Sequence, residues 1–344
     1  MTPAVLFVGN FLSSSIKHRH YCEDLTDRLE LRGWRLVRTS AHMGRARRML
    51  DMLHVTWARR SSYDLAHVDV FSGPAFTWAE LVCAELRSLS KPFVLTLRGG
   101  NLPAFARQSP RRTRRLFASA ARVTAPSRYL RETMLEYRPD IVVLPNAVDV
   151  AHELGARDRI GARMIWVRSF HAIYNPVMAI DVLERVARSV PDATLTMVGH
   201  DKGDGSLAAV QQRAHALGVT DRLQIVGGVP KRQIPSLLAK ADVFLNTADI
   251  DNTPVSVVEA MAAGLCVVST SVGGIPYLLT NGGDAVLVPA RAPDAMAAAV
   301  VRLCNEEDVA LRMSRTARSH AAAWDWRPVL DQWERLLHEV RARV

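Results

Sequence analysis

Two carboxylates in the second half of the sequence stand at a spacing that suits the binding of hydroxyl groups. Asp251 lies in a predicted loop, and Glu259 follows after seven intervening residues, inside a predicted helix. Gly264, an apolar run that predicts a buried strand, and the pair Gly273-Gly274 come next. Ionised carboxylates accept hydrogen bonds, so one acid before the helix and one within it would bracket a hydroxyl-rich ligand.

The start of this helix is expected to supply hydrogen-bond donors. Thr253 is a preferred N-cap residue and Pro254 suits the first helical position, so the helix is predicted to begin there. The amides of Val255 and Ser256 would then lack partners within the helix. Because they lie at the positive end of the helix dipole, they favour a phosphate group or polarised hydroxyls. With the two acids, this helix start suits a nucleotide sugar.

The segment resembles the donor-site signature of glycosyltransferase family 4, whose members are retaining enzymes of the GT-B fold. That signature has two acids separated by seven residues, then Ala-Met-Ala-x-Gly, an apolar strand and Gly-Gly. Asp251 stands where the family usually has Glu. The resemblance implies that Glu259 holds the ribose hydroxyls, and that Asp251 and the amides after Thr253 hold the sugar hydroxyls. An ordinary amphipathic helix before a buried strand would explain only the apolar positions.

A cation for the diphosphate is predicted after the first strand of the second half. The family usually reads Gly-Arg-Leu here and Lys-Gly a few residues later, and these two cations hold the diphosphate. Arg168 keeps the arginine, which can clamp two phosphate oxygens. The lysine is replaced, and Asn175, an uncharged donor, is the expected substitute. Other residues in predicted loops could supply the missing charge, namely Lys17, Lys202 and Lys231.

The loop after the first strand of the chain is a further candidate for donor binding. Family members have a Gly-Gly turn here, whereas this sequence offers Ser14, Ser15 and Lys17. Their hydroxyls and charge could take the place of the glycine backbone. A polar loop whose serines cap the next helix is an equal alternative.

Arg98 follows another predicted strand of the first half and precedes Gly99-Gly100. Many relatives have His at this place, near the reacting centre. Arg98 stays protonated and cannot act as a base, so its expected partner is a phosphate, an acidic acceptor or a carboxylate of its own fold. With Asp251 and Arg168, it completes the set of candidate catalytic residues.

A glycine turn at Gly199 is similar to the turn that opens the nucleotide site in the family, although its spacing is not that of a dinucleotide motif. His171 and His200 lie in predicted loops nearby, where a structural role is the expectation. Residues with metal-ligand spacing are missing from the sequence. We therefore expect no metal and no cofactor, with the nucleotide diphosphate sugar as co-substrate.

Length and composition predict two globular domains. The chain has 344 residues, of which 49% are hydrophobic and 23% charged, enough for two separate cores. Its four cysteines have neither metal nor redox spacing, which favours a reduced, cytoplasmic setting. The N-terminus does not resemble a signal peptide, and the sequence contains no apolar run long enough to span a membrane.

The formal net charge is +10, with arginine clusters at residues 45–48 and 111–115. Nucleic acid, an anionic membrane and acidic substrates are the partner classes that such a charge suits. The basic residues are not interleaved with aromatic ones and form no nucleic-acid motif, so nucleic acid is not expected. A solvated basic surface and a peripheral position on the inner face of the membrane are the two favoured interpretations.

Strands and helices alternate along the chain, which predicts parallel α/β layers. The resemblance implies two Rossmann-like domains that face each other across a cleft, and a C-terminal helix that returns to the first domain. We place these parts at residues 1–155, 156–325 and 326–344. The first holds the acceptor and the second the donor. A helix pair is predicted over residues 324–344. Twelve strands are predicted, at 5–8, 35–38, 65–70, 93–97, 123–125, 141–144, 164–167, 194–198, 223–226, 243–246, 266–269 and 285–288.

The sequence thus predicts a retaining hexosyl- or glycosyltransferase that acts on a carbohydrate or lipid-linked acceptor in cell-surface polysaccharide or glycoconjugate biosynthesis. Retention is implied by the resemblance alone. Two alternatives stay open, another GT-B enzyme such as a phosphorylase or an epimerase, and a degenerate protein that binds sugar nucleotides without catalysis.

Overall fold

The alternation of strands and helices produces two α/β units, seen here in a computed structural model. The structure describes residues 3–12, 21–149 and 157–342. Contacts divide the chain into one unit of Met1–Asn146 with Arg327–Val344 and another of Ala147–Trp326. The predicted boundary between residues 155 and 156 lies outside the described residues. Val148 groups with the second unit because its N–H donates to the Trp324 carbonyl at 2.9 Å.

The first unit is built on a six-stranded parallel sheet. Its strands are β1 (Ala4–Val8), β2 (Arg35–Thr39), β3 (Leu65–Val70), β4 (Phe93–Leu97), β5 (Arg122–Ala125) and β6 (Val142–Val143). They lie in the order β2-β1-β3-β4-β5-β6. The connecting helices are α1 (Tyr21–Leu31), α2 (Arg45–Ala58), α3 (Pro74–Ser88), α4 (Leu102–Gln108), α5 (Pro110–Ala118) and α6 (Arg128–Met134). β1 and β4 are buried along their whole length, as expected for central parallel strands.

The second unit repeats this plan with six further parallel strands. They are β7 (Arg163–Val167), β8 (Thr194–Val198), β9 (Leu223–Gly227), β10 (Val243–Asn246), β11 (Cys266–Thr270) and β12 (Ala285–Val288), in the order β12-β11-β10-β7-β8-β9. The helices are α7 (Pro176–Ser189), α8 (Ser206–Ala216), α9 (Ile234–Leu238), α10 (Val255–Ala262), α11 (Ile275–Leu278), α12 (Pro293–Asn305) and α13 (Glu307–Ala321). Two buried apolar clusters fill this unit.

The chain ends in one helix, α14 (Trp326–Arg341), which follows a 3-10 turn at Ala322–Trp324. The predicted helix pair is therefore wrong, because Asp325 is extended, with φ −62° and ψ 151°, and separates the turn from the helix. Trp333 packs edge-on against the buried ring of His67 at a centroid distance of 5.4 Å. Trp34 Nε1 also donates to Glu334 Oε1 at 2.9 Å. These contacts confirm the predicted return of the terminal helix to the first unit.

Candidate functional site

Arg168 and Asp251 meet at the carboxyl ends of two neighbouring strands of the second unit. Arg168 directly follows β7, and the loop with Asp251 follows β10, which pairs with β7. The two residues form an ion pair in which Arg168 Nη2 donates to Asp251 Oδ2. The Arg168 guanidinium also lies over the Tyr174 ring, 4.6 Å from its centroid. The carboxylate and the ring thus hold the guanidinium from two sides.

One donor of Arg168 has no partner in the described part of the chain. Its Nε is buried and makes no hydrogen bond. A buried N–H without an acceptor is costly, and such groups commonly mark a ligand or an ordered water. The position of Arg168 therefore agrees with an anion-binding role, although its predicted contact with a diphosphate stays a prediction.

The predicted glycine pair holds the loop that carries Asp251. A Cβ atom on Gly273 would lie 2.1 Å from the Asp251 carbonyl oxygen, and one on Gly274 would lie 2.0 Å from the Asn252 carbonyl oxygen. The Gly274 N–H donates to the Asp251 carbonyl at 3.0 Å. Only residues without a side chain permit this approach, so the Gly-Gly pair acts through the backbone of the acidic loop.

Gly199 makes a similar close backbone contact with Arg168. A Cβ atom on Gly199 would lie 1.6 Å from the Arg168 carbonyl oxygen. The Arg168 N–H in turn donates to the Val198 carbonyl at 3.0 Å. The glycine turn therefore fixes the backbone at Arg168, and its predicted contact with the donor stays a prediction.

Helix α10 begins one residue later than the sequence predicted. Pro254, with ψ 116°, is its N-cap, and no side-chain cap bond forms, so the prediction of Thr253 as N-cap is wrong. The Val257 N–H already bonds the Pro254 carbonyl at 3.1 Å. Within the described residues, the amides of Val255 and Ser256 have no acceptor, and Ser256 Oγ is buried without a partner. Donors thus gather at this helix start, as predicted.

Glu259 lines a pocket of about 170 Å³ in the second unit, together with Asp149 and Lys231. Burial raises the pKa of the Glu259 carboxyl to about 7. The positive charge of Lys231 opposes this rise, the carboxylate of Asp149 adds to it, and Arg168 opposes it. A carboxyl with a pKa near neutral pH inside a pocket is a functional candidate.

The three lysines that could replace the missing cation differ in their positions. Lys17 lies outside the described residues, as do Ser14 and Ser15. Lys202 is exposed. Lys231 reaches the pocket of Glu259, where its Nζ lies 3.9 Å from Asp149 Oδ2.

Asn175 is held by local structure. It adopts a left-handed conformation, with φ 44° and ψ 57°, and caps α7. Its Oδ1 accepts from the Met178 N–H at 3.4 Å, and its Nδ2 donates to Asp249 Oδ1 at 3.4 Å. The Asn-Pro sequence is explained by this cap, and donor binding by Asn175 stays a prediction.

Arg98 pairs with a carboxylate of its own fold, which is one of its three predicted partners. Its Nε donates to Asp69 Oδ1 at 2.8 Å and its Nη1 to Asn146 Oδ1 at 2.6 Å, all within the first unit. Tyr21 lies under the guanidinium at 5.0 Å from the ring centroid. Nη2 is buried and lacks a partner among the described residues. One donor of Arg98 is therefore unsatisfied among the described residues, and its predicted catalytic role stays a prediction.

Sequence reasoning missed Tyr174 and Asp149 as members of these sites. Tyr174 lies near Arg168 in sequence, which was the available signal. Asp149 follows β6 and belongs to none of the motifs described above, so the sequence offered no signal for it. Among the described residues no cluster suits a metal ion, and none of the described helices is long and apolar enough to cross a bilayer.

Comparison with known proteins assigns the family. The profile described as Glycosyl transferases group 1 matches residues 162–320, and the profile Glycosyltransferase Family 4 matches residues 19–152. The chain belongs to glycosyltransferase family 4. The first match includes Arg168, Gly199, Asp251 and Glu259, so the predicted donor site falls inside the family region.

Individual relatives agree with this assignment. A GDP-mannose-dependent alpha-(1-6)-phosphatidylinositol monomannoside mannosyltransferase of Mycobacterium tuberculosis is 30% identical over 62% of this chain and 56% of its own length. A phosphatidyl-myo-inositol mannosyltransferase of the same species is 26% identical over 83% of this chain and 76% of its own length. The chain spans about half the length of several curated relatives.

The fold also agrees with the family assignment. The structure of Anabaena HepE in complex with UDP has a TM-score of 0.76 at 16% identity, and the match covers 98% of this chain and 100% of that one. At this identity the similarity shows the fold alone. The predicted fold class, GT-B with two Rossmann-like domains, is confirmed.

Proposed function

We propose that this member of glycosyltransferase family 4 transfers a sugar from a nucleotide diphosphate sugar to an acceptor hydroxyl with retention of anomeric configuration. Retention is proposed from the family alone. The names of the relatives support GDP-mannose or a UDP-sugar as donor and a phosphoinositol-type, lipid-linked acceptor in glycoconjugate biosynthesis. We further propose that no metal or cofactor is needed.

One observation carries the proposal: donors without partners among the described residues occur on Arg168 itself and at the helix start that follows Asp251 in sequence. Arg168 Nε, Ser256 Oγ and the first amides of α10 are all unsatisfied among the described residues. Nucleotide phosphates and sugar hydroxyls are rich in acceptors, so they would satisfy these groups together. Arg168 and the helix start would stabilise the charge that develops on the departing diphosphate.

Asp251 would then leave Arg168 for the sugar hydroxyls. In this arrangement the ion pair keeps both charges compensated while the donor is absent. When the donor binds, its diphosphate replaces the carboxylate on Arg168, and Asp251 becomes free to accept from the sugar. The proposal therefore requires an exchange of hydrogen-bond partners within a preformed cluster.

The test compares Asp251→Ala with the exposed control Asp192→Asn. Asp251→Ala should lower turnover strongly, because the sugar loses an acceptor. Binding of UDP or GDP should stay equal or tighten slightly, because Arg168 no longer bonds a competing carboxylate. Calorimetry with the nucleoside diphosphate and a transfer assay with the nucleotide sugar give the two readings, and NMR of the product gives its anomeric configuration. Equal losses of binding and turnover would place Asp251 on the nucleotide and contradict the proposed roles.

The same assays would also reveal two other GT-B activities. Dependence on inorganic phosphate would indicate a phosphorylase, and turnover without an acceptor an epimerase. A protein that binds the nucleotide sugar and neither transfers nor hydrolyses it would be a non-catalytic member.

We also propose that the first unit binds the anionic inner face of a membrane, and that α2 makes the contact. Leu50 and Trp57 are 61% and 54% exposed, and their spacing of seven residues places them on one side of the helix. Arg47, Arg59 and Arg60 are exposed nearby, and Asp51 is the one acid in the helix. An exposed apolar stripe with basic neighbours suits an anionic bilayer.

The cluster at residues 111–115 is a weaker candidate for this contact. Arg112 pairs with Glu80 at 2.5 Å, and the Arg114 guanidinium lies 5.5 Å from the ring centroid of Tyr137. Part of its charge is therefore engaged within the protein.

Vesicle sedimentation at low salt tests the membrane proposal. Anionic vesicles should bind the protein more strongly than neutral ones, and the double change Leu50→Ser with Trp57→Ser should remove most of this binding. Leu31→Ser is the control, because Leu31 is 87% exposed on another helix. Equal binding to neutral and anionic vesicles, or an equal loss with Leu31→Ser, would refute the contact.

A further inference from the structure

The first unit contains a pocket of about 300 Å³ between α2 and α3. Val8 and Asp69 line it at the carboxyl ends of β1 and β3. This is the edge at which open parallel sheets bind ligands. Met52 and Trp78 give the pocket an apolar wall from the two helices. It therefore combines the usual location of a ligand site with a surface suited to a carbon skeleton.

The charge of this pocket is positive and uncompensated. Arg45 and Arg48 line it from positions three residues apart on one side of α2, and neither pairs with a carboxylate of the described chain. Within the described residues, Arg48 donates only to neutral groups, to Asn10 Oδ1 at 3.0 Å and to the His42 and Met43 carbonyls at 2.8 and 3.1 Å.

The one acid among the described lining residues does not compensate this charge. Asp69 bonds Arg98 Nε at 2.8 Å and is almost fully buried. Burial lowers the pKa of Arg48, and the neighbouring charge of Arg45 lowers it further. Two guanidinium groups thus line one pocket without a described counterion, an arrangement that a bound anion would relieve.

Both helices also begin at this pocket. Gly44 and Gly73 are the N-caps of α2 and α3, and neither supplies a side-chain cap bond. The first amides of two helices therefore add partial positive charge at the same place as the arginines. Such an arrangement favours a group with two negative charges and several acceptor oxygens over a single carboxylate.

We infer that this pocket binds a phosphate ester of the acceptor, with Arg45 and Arg48 on the phosphate and Trp78 against the adjoining carbon skeleton. The assignment of this pocket as an acceptor site rests on the proposed glycosyl transfer. The binding of the phosphate itself can be measured without any transfer.

The first experiment measures binding to the full chain without a donor. Myo-inositol 1-phosphate should bind, inorganic phosphate should compete with it, and myo-inositol should bind at least ten-fold more weakly. Glucuronate tests a carboxylate in the same way and should also bind more weakly. Equal affinity for myo-inositol and its phosphate, or tighter binding of glucuronate, would overturn the inference.

Variants locate the site. Arg45→Gln should weaken binding of the phosphate ester about ten-fold, the loss expected for one charge-assisted hydrogen bond. Arg48→Lys keeps the charge and serves as a second variant, because Arg48 also bonds the loop before α2; it should lose less than Arg45→Gln. Arg35→Gln is the matched control, since Arg35 is exposed at the opposite, amino end of β2. An equal loss with Arg35→Gln would show general electrostatic attraction and refute a built site.

Two sources could provide this phosphate ester, a soluble sugar phosphate and a lipid headgroup. Transfer assays with myo-inositol 1-phosphate and with phosphatidylinositol in otherwise neutral vesicles distinguish them, and an increased KM with Arg45→Gln in either assay supports the inference. UDP or GDP affinity should not change in this variant. If nucleotide binding is absent from the wild type while the phosphate ester still binds, the transfer proposal fails and the pocket assignment stands.

Discussion

Donor affinity should depend on pH through a single carboxyl group, Glu259. Burial raises its pKa to about 7, whereas the ordinary value is 4.5. If Glu259 holds the ribose hydroxyls as a carboxylate, protonation replaces a strong charged acceptor by a weaker neutral one. The affinity for the nucleotide sugar should therefore rise as the pH increases through 7.

The size of this change follows from the fraction ionised. With a pKa of about 7, Glu259 is roughly 90% ionised at pH 8 and about 3% ionised at pH 5.5. A charge-assisted bond that is worth about ten-fold in affinity then gives an overall decrease of roughly seven-fold from pH 8 to pH 5.5. Glu259→Gln removes the titrating group, so its affinity should stay near the low-pH value at every pH.

Calorimetry with UDP-glucose and GDP-mannose measures this profile. Nucleotide sugars are preferred to free nucleoside diphosphates, because a terminal phosphate titrates near pH 6 and would mask the effect. The control is Glu307→Gln, an exposed change in the same unit that should keep the wild-type profile. A flat wild-type profile, or a Glu259→Gln variant that follows the wild type, would refute the assignment of Glu259 to the ribose.

Three further predictions concern the second unit. Gly274→Ala should lower turnover at least ten-fold, because the new Cβ would lie 2.0 Å from the Asn252 carbonyl oxygen and displace the Asp251 loop. Donor hydrolysis measures this turnover, and a variant with the wild-type rate would contradict the prediction. Asp242→Asn should lower the free energy of unfolding by about 2–3 kcal/mol in urea, because Asp242 is buried and bonds Arg163 Nε and Nη2 at 2.7 Å each; a loss below 0.5 kcal/mol, roughly that of a surface change, would disprove it. The folded-state pKa of Glu259 is raised, so its contribution to stability is lost as the pH rises through 7. From pH 5 to pH 8 the free energy of unfolding of Glu259→Gln should therefore increase by about 1–2 kcal/mol relative to that of the wild type, after allowance for the partial exposure of Glu259. A difference between the two proteins that does not change with pH would contradict this prediction.

The strands could be predicted from sequence because they are short apolar runs between helical patterns. All twelve occur, and none of their ends differs from prediction by more than one residue. The start of α10 was harder. Thr253-Pro254 has the composition of a cap, but Pro254 is extended and the helix begins after it. Composition therefore locates a helix start to within a residue, while the backbone angles that decide the cap depend on the loop before it.

The ionic partners could not be predicted. The sequence allowed Arg98 a carboxylate of its own fold, but nothing in it indicated Asp69 as that carboxylate. The pairing of Arg168 with Asp251 depends on β7 and β10 being neighbours, although 83 residues separate the two side chains. The raised pKa of Glu259 likewise reflects its burial, which no motif records. These properties arise from the packing of distant segments, whereas the sequence pattern reports residue type and local spacing.

The glycines explain how a short signature can define a site made of distant residues. Gly273 and Gly274 contact the backbone of the Asp251 loop, and Gly199 contacts the backbone at Arg168, each at distances that exclude a Cβ atom. They belong to the site because they fix the main chain beneath its two charged side chains. A substitution at any of these glycines should therefore act on turnover through Asp251 or Arg168, with no direct loss of a ligand contact. The chemistry of the site and its geometry would then fail separately: Asp251→Ala should remove an acceptor from an intact loop, whereas Gly274→Ala should move an intact acceptor away from its substrate.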